Sequence, residues 1–437
     1  MPNSLGAYDK KYVSSKEFLD QREILNKVLD ITNEESSFLD IMELTKRSNP
    51  TSVPTYHHFV NEELYVLATV SAKSGTGATV TLTIDAPSYD SIGQGELVLF
   101  KDSKVAYVVS KGASNTIVVK SVDGTTISAD STVVANDKIS FFSNAAGEGS
   151  LSPEAKRWEV TKYFNQVQAF KGKFAITNIQ KASKVEVEFQ GKPFFMYKGQ
   201  HESLMKFRGD ISAALMFGRM SAANFSEASP SLVDSEGKPV QTTAGLDQYV
   251  TSYGIQESLA SVGVLTIDDV RTLTQKLNAE RCPSEYFLFT GTTQNIAWDN
   301  FFNALGNGAI VSQAGRFDLN SKLNLGIDSV KIYGRTFHKK YLPLLDHKNI
   351  VNFTGGPNFK DAAYGAPATK QKTVDGQMID RIGVRYMSGD GLDLKYREIL
   401  LGGLAPVPTN ERSVLEIHYE SVQGLEVLGA NQFFKIV

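Results

Sequence analysis

The order of parts between Leu151 and Gly245 constrains this chain more than any other feature. A long aromatic ribbon, reached through an all-β module, runs directly into one long helix at about residues 198–220. The chain then passes a polar loop to reach Thr242-Thr243-Ala244-Gly245-Leu246. Leu204, Phe207, Ile211 and Leu215 fall at i, i+3, i+7 and i+11, one face at helical period, while Glu202, Lys206, Arg208 and Asp210 cover the other. Gly199, Gly209 and Gly218 weaken such a helix by about 1 kcal/mol each relative to Ala, so packing must hold it, and Gly209 is the expected bend point.

The ribbon consists of Pro54 to Glu62 and Arg157 to Ile179. The second part carries Trp158, Val160, Tyr163, Phe164, Val167, Phe170, Phe174 and Ile176 with Lys, Gln and Asn between them. An apolar ribbon with little core of its own is an aggregation hazard unless it lies on a surface, and another subunit is the natural one. Residues 1 to about 50 read as an arm of two short helices. The first, from Ser14, has Phe18, Ile24, Leu25, Val28 and Leu29 on one face. The second, from Glu34 to Lys46, is ended by Ser48-Asn49-Pro50. Trp158, Tyr163, Phe164 and Phe170 of the ribbon, with Phe18 and Ile24 of the arm, are therefore the candidate intersubunit contacts.

Between the two halves of the ribbon, from about 63 to 142, the texture is β. Tyr65–Val70, Thr79–Ile84, Glu96–Phe100, Ala106–Val109 and Thr116–Val119 are short β-branched runs. Turn signals such as Ser74-Gly75-Thr76-Gly77 and Asp123-Gly124 separate them. Regular spacing of this kind predicts a small barrel or sandwich. Beyond residue 250 the pattern is mixed α and β. A helix capped by Thr266 runs to Asn278, with Asp268 and Asp269 in its first turn, where the dipole favours acids. Glu285–Thr290 is a buried strand, and Thr292 or Thr293 opens a helix to Ala304. Val330–Gly334, Asn349–Phe353, Arg381–Met387 and Ser413–Glu420 read as further strands.

None of the chemical candidates converges on a site. Cys282 precedes Pro283 and has no nucleophile signature around it, which makes it an inert thiol despite His338 and His347 elsewhere. His57 and His58 are adjacent, so on a strand they point to opposite faces and cannot share a metal. Asp390-Gly391-Leu392-Asp393 lacks the ligand spacing of a calcium loop and reads as a glycine turn. Ser74–Gly77 lacks the Lys-Ser/Thr and helix of a phosphate loop and reads as a hairpin. The expectation is a non-enzymatic protein with no catalytic residue, metal or cofactor.

Composition agrees. With 45 basic and 48 acidic residues, a net charge of −3, the chain is not built to grip nucleic acid. No apolar run has the length of a membrane span. Met1-Pro2-Asn3-Ser4 lacks the features of a secretory signal, and one cysteine excludes an intrachain disulfide, so synthesis in a reducing cytoplasm is expected.

This order of parts resembles the major capsid protein of a tailed double-stranded-DNA bacteriophage of the Hong Kong 97 type, in the subgroup with a β insertion in the extended loop. The resemblance implies an α+β fold: an N-terminal arm at 1–50 and an extended β-hairpin loop at 51–177 carrying the module at about 63–142. A peripheral domain follows at 178–249 with its spine helix at 198–220, then an axial domain at 250–395 and a return to the peripheral domain at 396–437. Thr242–Leu246 is similar to the Gly-Leu stretch that follows the spine. Ile332–Phe337 with Tyr341-Leu342-Pro343 and Ile350–Phe353 resembles the strand re-entering the peripheral domain, and Gly424 through Ile436 resembles the closing strand. Lys138–Phe142 through Gly149 is the expected exit of the module. The implied function is self-assembly, as pentamers and hexamers, into an icosahedral virion shell around the genome. Portal, scaffolding and decoration proteins are implied partners, with weak non-specific contact to packaged DNA and no membrane. The shell of a cargo-carrying nanocompartment and a β-rich tail or adhesion protein are the alternatives.

Overall fold

The computed structural model describes residues 37–45, 47–60, 65–127, 133–150, 161–177, 188–189, 192–221, 232–307, 329–373, 376–403 and 411–437. The chain divides into two compact units, His58–Tyr163 and the body formed by Met1–His57 with Phe164–Val437. Among the described residues the helices are α1 Ser37–Leu44, α2 Ala86–Ser91, α3 Phe194–Phe217, α4 Leu246–Tyr253, α5 Ile267–Ala279 and α6 Thr292–Asn307.

The smaller unit holds a closed six-stranded barrel. Its strands run in the spatial order Val66–Ser74, Thr79–Ile84, Thr116–Ser121, Val105–Lys111, Glu96–Leu99 and Lys138–Asn144, and the last pairs back to the first. Period-two alternation turns Val70, Leu82, Val98, Val108, Val119 and Ile139 into an interior from which water is excluded. Each such side chain contributes about 1.5–3 kcal/mol on burial. The segment read from sequence as an exit, Lys138–Phe142, is the closing strand: it pairs with both Val66–Ser74 and Glu96–Leu99. Asp85 caps α2, its carboxylate accepting from the backbone N–H of Ser88 at 3.2 Å and of Thr69 at 2.6 Å. Ser74–Gly77 is a hairpin turn, with Gly75 and Gly77 at φ 89° and 103°. The strands leading into and out of this unit, Thr55–Val60 and Thr161–Gln166, pair with each other.

Among the described residues the body contains two six-stranded sheets. In the first, Ser48–Thr51, Ile382–Gly389, Val414–Val427 and Gln168–Thr177 lie side by side, and Arg397–Leu401 adds to Val414–Val427. Gln168–Thr177 is antiparallel to Val414–Val427 over its full length, from Gln168 opposite Gln423 to Thr177 opposite Val414. Helix α3 lies on this ladder. A Cβ at Gly172 would stand 3.1 Å from the Phe207 ring, and one at Gly199 2.8 Å from the Phe174 ring. Two of the glycine positions that cost helix or strand propensity are thus where helix and sheet approach closest. Phe207, Ile211 and Leu215 bury against Phe38, Leu39 and Met42 of α1 and against Phe170 and Tyr419.

Helix α3 runs from Phe194 to Phe217, not 198 to 220. It stops at Gly218 because that residue is pressed against a neighbouring segment: a Cβ there would meet the carbonyl of Thr243 at 2.7 Å.

In the second sheet the order is Ile255–Glu257, Phe434–Ile436, Ala363–Pro367, Glu285–Thr290, Arg335–Tyr341 and Ser329–Ile332. The chain's end is therefore an interior strand. Val270, Leu273 and Leu277 of α5, with Ala297, Trp298 and Phe301 of α6, pack on Tyr286, Leu288, Phe337 and Phe434 of this sheet. The predicted Thr266 cap is a full capping box with Asp269.

Two sequence expectations are corrected. Val330–Gly334 is not one strand, because Tyr333 and Gly334 have φ of 49° and 78° and form the turn between Ser329–Ile332 and Arg335–Tyr341. Asn349–Phe353 is a turn segment. The His347 carbonyl accepts from the backbone N–H groups of Ile350 and Val351, and the Asn352 side chain bonds Leu345 O at 2.6 Å and Phe359 N at 2.8 Å. Such local bonds outcompete a ladder despite the β-branched residues.

Candidate functional site

The residues with chemical potential stay apart. Cys282 is half-buried, and burial pushes its thiol up from its ordinary value. The Arg335 guanidinium beside it serves the C-terminal end of α5, donating to Cys282 O at 3.1 Å and to Asn278 Oδ1 at 2.6 Å. The His57 ring lies 5.8 Å from Phe164, whereas the His58 ring stacks on Tyr163 at 5.4 Å. Asp390 and Gly391, at φ 51° and 79°, form the two-residue turn joining Ser388-Gly389 to Leu392-Asp393. Among the described residues no three His, Cys, Asp or Glu side chains gather as a metal site, and no helix is long and apolar enough to cross a membrane.

What converges instead is a buried polar knot around Asn165. It sits next to last in Thr161–Gln166, one of the polar residues between the ribbon's aromatics, and it is fully buried. Its amide nitrogen lies 2.7 Å from Leu425 O, 3.0 Å from Ala244 O and 3.2 Å from Thr243 Oγ1, and its oxygen accepts from Ala244 N at 2.9 Å and Gln166 N at 2.8 Å. Leu425 O also accepts from the Tyr56 hydroxyl at 2.6 Å, and Leu425 N donates to Thr243 Oγ1 at 3.2 Å. Burial pushes the Tyr56 hydroxyl well above its ordinary value, so it stays a neutral donor.

Glycine makes this closeness possible. A Cβ on Gly424 would lie 2.6 Å from Gln166 O, and one on Gly245 would lie 2.7 Å from Gly218 N. The knot thus fixes four things relative to one another: the ribbon, the end of α3, the Thr242–Leu246 segment and the long strand Val414–Val427. The sequence flagged Thr242–Leu246 but gave no sign that Asn165 and Leu425 meet it.

Charged groups brace the same region. Asp247, in the first turn of α4, is nearly fully buried and accepts from Arg219 at 2.9 Å, Lys435 at 2.8 Å and the Tyr364 hydroxyl at 2.7 Å. Burial, with the Asp247 carboxylate second, raises the Tyr364 hydroxyl well above its usual range. Arg208 of α3 holds Asp40 at 2.6 Å and Glu43 at 2.9 Å, tying α1 to the long helix.

The nominated contact residues divide accordingly. Tyr163, Phe164 and Phe170 are each 9% exposed or less, and Phe164 and Phe170 belong to the body's own core. Their apolar area is already withdrawn from water within the chain. Trp158, Phe18 and Ile24 lie outside the described residues, as does the first arm helix. Large apolar side chains that do face solvent include Tyr65, Leu67, Leu99 and Phe142 of the smaller unit and Val262, Val264 and Ile296 of the body. Alternation marks the barrel residues as outward-facing, so their exposure was readable, but not that the fold gathers four of them.

Comparison with known proteins places this architecture. No curated protein matches the chain. Among solved structures it is similar to the Cyanophage A-1(L) capsid asymmetric unit, with a TM-score of 0.47 at 8% identity over 95% of this chain and 96% of that one. It is similar to the capsid of Cyanophage P-SCSP1u, with a TM-score of 0.43 at 9% identity over 96% and 93%. For Gordonia phage Cozz the values are 0.42 and 10%, over 95% and 90%. At such identities and TM-scores the assignment rests on sequence: the family model of the SU10 major capsid protein matches residues 8–335, well over half of the 437. The chain belongs to the SU10 major capsid protein family and is a structural subunit of a phage capsid shell.

Proposed function

We propose that this subunit is of the Hong Kong 97 type and works by overlap rather than by chemistry. In this reading residues 1–50 are an arm, and 51–177 an extended loop whose inserted module is the barrel. Residues 178–249 and 396–437 form a peripheral domain around the spine helix, and 250–395 form an axial domain. Copies join as pentamers and hexamers into an icosahedral shell around double-stranded DNA, built in the host cytoplasm with portal, scaffolding and decoration proteins as partners.

The observation that carries the reading is the long helix α3 laid on the ten-residue ladder between Gln168–Thr177 and Val414–Val427. That ladder is locked at the Asn165 knot, where the strand pair to the barrel begins. Closure then relies on many contacts of modest size. A net charge of −3 suits a wall that contains DNA without clutching it, since strong phosphate contacts would be salt-sensitive and oppose release.

The test is to purify the chain expressed alone and examine it by size exclusion and negative-stain electron microscopy. Shells, pentamers, hexamers or curved sheets are expected, and a discrete trimer with ligand-binding activity would overturn the reading. Deleting about residues 66–141 should leave a folded body that forms fragile or misassembled shells. Steep salt dependence of subunit binding to DNA would contradict the passive-wall part.

A further inference from the structure

A cavity of about 500 Å³ opens in the body where α1 meets the second sheet. Strand register builds its floor. Phe287 stands opposite His338, and His338 opposite Ser329, so three neighbouring strands set these side chains in one row. Phe289 and Lys340 form the next row. Period-two alternation turns them away from the face that α5 and α6 cover, where Phe337 is buried. Ile41 and Met42 of α1, with Thr45 just past its end, make one wall. The His338 ring lies 5.9 Å from that of Phe287, and the Arg47 guanidinium lies 5.3 Å from the same ring.

The charge of the lining selects the ligand. It holds Arg47, His338 and Lys340 and no carboxylate. Lys339 also borders the cavity, but its ammonium is spent on Asp299 of α6. Arg47 shares its counterion, because Asp380 lies 3.5 Å from both Arg47 and Lys370. Among the described residues neither His338 nor Lys340 spends its side chain on an ion pair. Glu285, on the same strand face as Phe287, is one row further on and level with Lys331. Cations over an aromatic floor are the two halves of a nucleotide site: charge holds the phosphate, and the rings take a base of any identity. The volume lies in the range of about 300–1,000 Å³ that suits one small ligand. We propose that this cavity binds one nucleoside monophosphate unit, with its phosphate on Arg47, His338 and Lys340 and its base against Phe287 and Phe289. A peptide carboxylate or a bare phosphate would use the cations and leave the rings idle. A single phosphate adds a slope of only about −0.7 to the salt dependence of binding, so the site is compatible with a wall that does not clutch DNA. It belongs to the subunit and does not depend on shell closure.

The experiment dialyses the full-length chain to equilibrium against radiolabelled deoxyadenosine monophosphate. Inorganic phosphate, deoxyadenosine and an acidic aromatic peptide serve as unlabelled competitors. Saturation at one nucleotide per subunit is expected, with each competitor weaker than the nucleotide by about tenfold or more. Lys340 and Ser329 are exposed, so both tolerate substitution. Lys340→Glu reverses the charge at the phosphate, and Ser329→Phe fills the row beside His338. Each should raise the Kd about tenfold or more while leaving the far-ultraviolet circular dichroism unchanged. Absence of saturable binding, an unchanged Kd in either variant, or equal competition by phosphate, by deoxyadenosine or by the peptide overturns the proposal. A 5′-phosphorylated oligonucleotide distinguishes the sources of the ligand. Competition at the concentration of the free nucleotide supports a DNA strand end, and its absence supports the free nucleotide.

Discussion

The side-chain amide of Asn165 lies 2.7 Å from the carbonyl oxygen of Leu425, 260 positions away in the chain, and the same carbonyl takes the Tyr56 hydroxyl. One backbone group thus gathers both strands of the ribbon onto the long strand that ends the chain's first sheet. Asn165→Ala strands the buried N–H of Ala244 and removes a donor from Leu425 O. A buried polar group left without a partner costs about 1–3 kcal/mol, so the variant should lose roughly 3 kcal/mol, read as a lower urea midpoint for the body. Asn165→Asp should do no better, because it sets a carboxylate oxygen against the carbonyls of Leu425 and Ala244.

Gly424→Ala tests the close approach directly. Its methyl would stand 2.6 Å from Gln166 O and 2.8 Å from the Tyr56 hydroxyl, both held in place by the knot. Overpacking of this kind costs about 1–3 kcal/mol. The same substitution at Gly147, where a Cβ meets nothing within 4 Å, should be silent in the same denaturation assay.

Gln294 of α6 is fully buried, and among the described residues neither atom of its amide has a hydrogen-bond partner. Gln294→Met keeps the volume and removes the desolvated amide. The variant should be about 1–2 kcal/mol more stable, seen as a raised thermal midpoint.

The bond between α1 and α3 is electrostatic at its rim. Arg208→Met breaks the pairs to Asp40 and Glu43, whose side chains are 43% and 31% exposed. Solvent screening keeps the loss to about 0.5–1 kcal/mol at low salt. The difference from the native chain should shrink when salt is raised to about 1 M, where the Debye length is near 3 Å.

Acid should weaken the barrel through two turn carboxylates. Hydrogen bonds from the Ser121 and Thr125 side chains lower Asp123 to about 2. For Asp85, burial pulls upward, but bonds from Ser88 and Thr69 outweigh it and the group is lowered. Both folded-state values lie below the unfolded 3.8, so their contribution is complete above that value and is lost as pH falls through the folded one, about 2 for Asp123. Thermal melts between about pH 5 and 2 should show this decline, and Asp123→Asn should flatten it.

Local pattern carried much of this architecture. Alternation fixed five of the six barrel strands, because the period of two survives whatever packs on them, whereas the closing strand Lys138–Asn144 was read as an exit; Glu285–Thr290 was legible end to end. The Thr266 cap and the Asp390-Gly391 turn needed only neighbours in sequence to be read correctly. Asn349–Phe353 failed because the Asn352 side chain offers its backbone a local alternative that β-propensity does not count.

By itself, then, the sequence determined the elements, their order and the family to which that order belongs. Tertiary structure alone decided which polar residues are buried and which apolar ones are left outside. Asn165 looks like any solvated residue of a ribbon until Ala244 and Leu425 close around it. Phe164 and Phe170, nominated as contacts with a neighbour, are enclosed by the body's own core. Periodicity assigns a side chain to a face; what that face meets is set by residues brought together from distant parts of the chain.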